Sequence, residues 1–182
     1  MADTPLWEPG ALVLVVGLMN PGEKYRFTRH NAGAMALDVL WPDAHYTAVK
    51  SLEGELAEVR EGELKLLLLK PYTFMNLSGQ AVLKTMKKFH IAPQQVVVLH
   101  DEVELPVGVV KHKFGGGHKG HNGLRSIMAV TGSADFHRIR IGVGRPDDDS
   151  SGIADYLLSF QPPGERVTKE QLQPVWQHLV HG

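Results

Sequence analysis

An α/β fold is predicted for this chain of 182 residues by three features. Wholly apolar runs are short enough to be buried strands, amphipathic segments with helical spacing separate them, and turn residues cluster where each run ends. The alternation runs from end to end without an internal repeat, a low-complexity tract or a long linker. One domain over residues 1–182 is therefore expected, with 1–11 as an irregular extension. A hydrophobic content of 43% in a chain of this size is enough for a substantial core.

Residues 12–17 hold no polar side chain, which predicts a strand buried on both faces. A helix follows over 31–40 and is closed by Trp41-Pro42, because the residue before a proline is driven out of helical backbone. Residues 56–60 and 65–69 flank Glu61-Gly62-Glu63 as a hairpin. The helix expected over 77–89, with Ser78 at its start, carries Val82, Met86 and Phe89 on one face. Val96-Val97-Val98-Leu99 is a second continuous apolar run, hence a central strand, and His100-Asp101-Glu102 stands at its carboxyl end. Residues 109–114 alternate, setting Lys111 and Lys113 on one face and Val110, His112 and Phe114 on the other. A glycine-rich loop over 115–123 leads into a helix through Leu124, Ile127 and Met128. The strand over 137–143 then projects Arg138 and Arg140 from one face. Residues 145–151 form a polar loop, and Leu172, Val175, Trp176 and Leu179 mark a final helix whose start Pro174 leaves open.

The chain has no cysteine, so disulfides, a thiolate nucleophile and a sulfur-ligated zinc site are excluded. Met1-Ala2-Asp3-Thr4-Pro5 lacks the basic start of a signal peptide, and the apolar run after it is too short to span a bilayer. A cytoplasmic protein without a membrane partner is expected. Net charge is −1, yet between Leu105 and Pro146 seven cations (Lys111, Lys113, Lys119, Arg125, Arg138, Arg140 and Arg145) face the single acid Asp135. Two readings stand: a basic face for a polyanion, or a solvated surface whose counter-charges come from other segments.

Asn20 and His30 fall at the carboxyl end of the first strand, where open α/β sheets bind ligands. His30 could take a proton from water if a carboxylate held its ring, and Asp101 is the candidate. The alternative is a core or capping histidine satisfied by a backbone carbonyl. With no Gly-x-Ser-x-Gly elbow and no cysteine, water is the expected nucleophile. Asn20, Asn76 and Asn122 each end a strand or open a helix, and an amide offers donor and acceptor without charge. Asparagine also serves turns for local reasons, so each has a structural reading as well. Phe74 and Met75, beside Asn76, either line a groove or pin their loop to the core. Gly115 to Gly120 satisfies the dinucleotide fingerprint, but the loop runs on through Gly123 and the strand before it is rich in lysine, which argues against the match. His118 and His121 lack a third neighbour at a metal-ligating spacing, so no metal site is expected.

Five blocks taken together resemble the bacterial peptidyl-tRNA hydrolase family: Val16-Gly17-Leu18-Met19-Asn20-Pro21-Gly22, Thr28-Arg29-His30-Asn31-Ala32-Gly33, Thr73-Phe74-Met75-Asn76-Leu77-Ser78-Gly79, His100-Asp101-Glu102 and residues 115–123. The resemblance covers roughly residues 12–165. It implies a single-domain α/β/α sandwich around a mixed, mostly parallel twisted sheet. The implied activity is hydrolysis of the ester joining a peptide to the 3′ ribose of tRNA, which recycles tRNA from aborted translation, with no cofactor and as a monomer. Carried over by position, His30 is the general base, Asp101 stabilises its working form, and Asn20 distinguishes a blocked peptidyl group from a free aminoacyl one. Met75, Asn76 and Asn122 match substrate positions, Tyr25 and Phe74 match contacts to the tRNA end, and Lys111, Lys113 and Arg140 match a phosphate-binding face. Glu104 stands where many members have aspartate, the segment 41–51 is short, and the tail stops soon after Trp176. Two other readings remain: an RNA-binding module on the same fold without hydrolysis, and a dinucleotide-dependent enzyme.

Overall fold

The computed structural model describes residues 5–147 and 152–182. Seven strands form one sheet in the order β2-β3-β4-β1-β5-β7-β6. They are β1 (Leu12–Gly17), β2 (Thr47–Val49), β3 (Gly54–Glu61), β4 (Leu64–Pro71), β5 (Val96–Glu102), β6 (Val110–Phe114) and β7 (His137–Gly142). The helices are α1 (Ala32–Leu40), α2 (Ser78–Phe89), α3 (Asn122–Thr131), α4 (Gly152–Leu157) and α5 (Lys169–His181). The central strands β4, β1, β5 and β7 are parallel, while β2, β3 and β6 join the edges antiparallel, so the sheet is mixed. Among the described residues no helix is long and apolar enough to cross a membrane.

The continuous apolar runs have a simple cause. In β1, Val13 and Val15 pack with Ala36, Leu37, Leu172 and Trp176 on one side, and Leu14 and Val16 pack with Val82, Leu124 and Ile127 on the other. Both faces of the strand are thus covered by helices, which is the α/β/α layering. The 61–63 hairpin is present, with β3 and β4 paired from Gly54 opposite Pro71 to Glu61 opposite Leu64.

The tail helix begins earlier than its proline suggests. Thr168 Oγ1 accepts the Gln171 N–H and the Gln171 side chain returns the bond to the Thr168 N–H. This capping box starts α5 at Lys169, and Pro174 sits exposed inside it, where one lost hydrogen bond is tolerated. Two elements had no sequence signal, the three-residue strand β2 and the six-residue helix α4. Residues 5–11 carry no helix or strand, but Trp7 anchors them through a 3.0 Å bond to the Gln94 carbonyl and edge contact with His137. Part of the polar loop expected over 145–151 lies outside the described residues, at 148–151.

Close packing at two glycines brings the turn before α1 onto the sheet. A Cβ on Gly33 would lie 2.1 Å from the Leu99 carbonyl oxygen, and one on Gly17 2.7 Å from that of Gly33. Only hydrogen fits there, so the start of α1 lies directly on the carboxyl ends of β1 and β5.

Candidate active site

The 3₁₀ turn Arg29–Asn31, just before α1, holds three consecutive side chains in three directions. Arg29 reaches back to Ser159 Oγ at 2.6 Å and the Phe160 carbonyl at 3.0 Å, beneath α4, and stacks over the Tyr156 ring. His30, 8% exposed, points to β5, where its Nδ1–H donates to Oδ2 of Asp101 at 2.7 Å. Asn31 turns to the backbone of Asn20. His30 is therefore not the core or capping histidine of the alternative reading.

Asp101 is held at both oxygens. Its Oδ1 accepts the Nε2–H of His121 at 2.8 Å. The tautomer follows from the other ring nitrogen, because Nδ1 of His121 accepts the N–H groups of Gly123 and Leu124 as the cap of α3. Burial alone would raise the Asp101 pKa, but the charge and hydrogen bonds of His30 and His121 hold it well below the ordinary carboxylate range. The His30 ring is also penalised by burial, yet the Asp101 charge and hydrogen bond outweigh that and raise its pKa above the ordinary imidazole value. With Nδ1 committed to Asp101, the lone pair of neutral His30 lies on Nε2.

Sequence spacing missed His121 as a partner of Asp101, since twenty residues separate them and only the fold joins β5 to the start of α3. The expectation that His121 lacks a ligating neighbour is corrected, though the neighbour is not His118, which is half-buried and takes the Gly120 N–H on its Nδ1 at 2.9 Å. The neighbours of His121 are instead Asp101 and His30, whose ligand atoms all lie within 4.8 Å. Each imidazole nitrogen facing the carboxylate carries a proton, so this donor set fits proton sharing and does not fit a cation. His100, fully buried, donates its Nδ1–H to the Asp101 carbonyl, and burial and His121 push its pKa down to about 4.

The three asparagines converge with this triad in a cleft of about 1060 Å³ lined by Asn20, His30, Asn76, Asp101, His121 and Asn122. Asn20 Oδ1 accepts the Met75 N–H at 2.7 Å, which leaves its NH₂ without a protein partner among the described residues. Met75 is buried and ties the loop to the core, whereas Phe74 is 57% exposed and meets the Tyr25 ring edge-on at 6.4 Å. One residue of that loop is thus an anchor, and the next an aromatic surface at the mouth.

The basic stretch is partly neutralised. Arg140 Nε bonds Glu102 at 3.0 Å and Arg145 pairs with Glu104, both acids lying just before the stretch in sequence. Arg138 is buried and spends its guanidinium on the carbonyls of Gly116 and Gly117, latching the glycine loop. The solvated-surface reading therefore holds for part of the stretch. Lys111, Lys113, Lys119 and Arg125 form no ion pair among the described residues. Lys111 sits opposite Arg140 and Lys113 opposite Arg138 on adjacent strands, and like charges so placed repel unless an anion joins them. Lys113 and Arg140 line the cleft; Lys111 is exposed beyond it.

Fold and cleft together define a class: a hydrolytic type of site at the rim of an α/β/α sheet, with an imidazole–carboxylate couple, neutral amides around it and a cationic edge. The family model for peptidyl-tRNA hydrolase matches residues 14–181. The peptidyl-tRNA hydrolase of Dichelobacter nodosus is 48% identical over 149 residues, covering 81% of this chain and 78% of that one. That of Paracoccus denitrificans is 50% identical over 160 residues, covering 87% and 67%. The crystal structure of the Acinetobacter baumannii peptidyl-tRNA hydrolase superposes with a TM-score of 0.81 at 35% identity, over 92% of this chain and 85% of that one. The chain belongs to the peptidyl-tRNA hydrolase family.

Proposed function

We propose that this chain, read as one domain, hydrolyses peptidyl-tRNA with His30 as general base and water as nucleophile. Nε2 of His30 takes a proton as the water oxygen attacks the ester carbonyl carbon. Amide donors of Asn20, Asn76 and Asn122 and neighbouring backbone N–H groups stabilise the oxyanion and hold the water. The bond to the 3′ ribose oxygen then breaks, and the imidazolium returns its proton to that leaving oxygen. The products are a peptide carboxylic acid, which gives up its proton to solvent, and tRNA with a free 3′ hydroxyl. Asp101 stabilises the imidazolium between these steps. The single observation that carries the reading is the 2.7 Å bond from His30 to a buried Asp101 whose second oxygen is held by His121.

Asn20 reads the blocked end of the peptide. With Oδ1 occupied by Met75, its NH₂ is the end that meets substrate, and it suits a carbonyl oxygen. An N-acylated residue offers that acceptor, whereas a free α-ammonium offers only donors. Tyr25 and Phe74 stack on the tRNA end, and Lys111 and Lys113 neutralise its phosphates beside Arg140, whose charge Glu102 partly offsets. A cytoplasmic monomer acting on tRNA released from aborted translation is consistent with this reading.

The test is His30→Ala. Loss of the base is expected to slow cleavage of peptidyl-tRNA by about two to four powers of ten while tRNA binding persists. Near-normal cleavage by the variant would remove His30 from the role.

A further inference from the structure

We infer that Asn31 is a positioning residue that sets the substrate selectivity of the cleft by clamping the backbone of Asn20; this rests on the reading of Asn20 as the group that recognises an N-acylated substrate. The clamp is bidentate. Asn31 Oδ1 accepts the Asn20 N–H at 2.8 Å, and Asn31 Nδ2 donates to the Asn20 carbonyl at 3.0 Å.

Asn20 needs such a partner because no regular structure holds it. β1 ends at Gly17, Pro21 follows without an N–H, and Gly22 has φ +107°. Among the described residues, the Asn20 backbone makes no bond to another backbone group. Its N–H and carbonyl therefore depend on one side chain, and that side chain is 2% exposed.

Local propensity points the same way. Asn31 is the N-cap residue of α1, where asparagine ordinarily stabilises the helix by accepting one of its free N–H groups. Here it makes no such bond and reaches across to Asn20 instead. A helix cap is forgone, which is the pattern of a residue kept for a site.

The consequence is a rigid chain of contacts. Asn31 fixes the Asn20 main chain, Met75 fixes the Asn20 Oδ1, and the remaining NH₂ is held at a set place relative to the ring of His30, the residue next to Asn31. Base and selector thus hang from adjacent positions of one turn. Loosening the clamp lets the Asn20 amide rotate, and a rotated amide presents an acceptor as readily as a donor. Discrimination falls even though the base is untouched.

The experiment measures kcat/KM of Asn31→Ala on N-acetyl-aminoacyl-tRNA and on unblocked aminoacyl-tRNA, beside Asn20→Ala and the double variant, with melting temperatures. Asn31→Asp, which keeps the shape but lacks the donor, carries the same test should the alanine variant not fold. The ratio of the two substrates is expected to fall by about tenfold, the scale of two lost hydrogen bonds. The acid limb of the pH profile is expected to stay in place. In the Asn20→Ala background the second substitution adds almost nothing to the loss. Equal losses on both substrates, or losses that add to those of Asn20→Ala, would overturn the inference. An Asn20→Ala variant with unchanged selectivity would instead sink the reading of Asn20.

Discussion

His121 and Asp101 are joined by a 2.8 Å bond in which the imidazole donates, and the acceptor is the carboxylate oxygen that His30 leaves free. The Asp101 carboxylate is thereby fixed at both ends, and one of its anchors is the cap of a helix. Removing that anchor leaves Asp101 free to rotate off the His30 ring. His121→Ala is expected to lower kcat by about ten- to a hundredfold, the worth of a hydrogen bond to a buried charge, with little change in tRNA affinity. A kcat at the parent level would show that Asp101 holds its place without help.

Under the proposed mechanism, with His30 as base, the pH profile follows from that ring. The base must be neutral to accept a proton, and Asp101 raises its pKa above the ordinary imidazole value, so activity is expected to climb with pH along an acid limb centred above that value. Asp101→Asn removes the charge that favours the imidazolium while burial still opposes it. The limb of kcat/KM is then expected to move to lower pH as the plateau falls. A limb that stays fixed would mean that another group controls it.

Stability has its own acid dependence. Burial, then the neighbouring His112, lowers the His137 pKa to about 4, and burial with His121 does the same to His100. Burial and His178 also lower that of His112. In the unfolded chain these rings titrate near 6.5. Between that pH and about 4 the unfolded state binds protons that the native state refuses, so stability drops as pH falls through this window. His30 runs the other way: its raised pKa adds stability below the ordinary value and loses it as pH rises through the folded one. With three rings against one, melting temperature is expected to decline from neutral pH toward pH 5, and a flat or rising curve from thermal melts would contradict this.

Salt dependence separates the cations. Lys111 is exposed and unpaired among the described residues, so Lys111→Ala is expected to weaken tRNA binding and reduce the slope of log K against log salt by about one. Arg140 is already paired with Glu102, so Glu102→Gln is expected to free a charge and steepen the slope. Binding isotherms at several salt concentrations decide both, and slopes unchanged in the two variants would place the phosphates elsewhere.

Much of the fold was legible because its signals are local. Residues 13–17 lie buried on both sides of the sheet, and the alternating 110–114 strand sets its lysines together at an edge. What escaped was short or relational. The strand β2 has three residues and α4 six, too few for a period to emerge. The charge balance misled because Glu102 and Glu104 fall just outside the basic window that they neutralise. At the site, His30, Asp101 and the three asparagines were readable from residue type and strand ends. His121 and Asn31 were not, since each looks like an ordinary helix-start residue until its partner across the fold is known.

The turn Arg29–Asn31 makes one demand on the chain that no single substitution would reveal. Successive residues of a 3₁₀ turn point about 120° apart, and here each of the three directions is already taken, by the segment under α4, by Asp101 and by Asn20. Adding or deleting one residue would hand every one of those tasks to the wrong neighbour at once. Length is the invariant of this stretch, and insertions for probes or affinity tags belong instead in exposed connections such as the tip of the β3–β4 hairpin at Gly62.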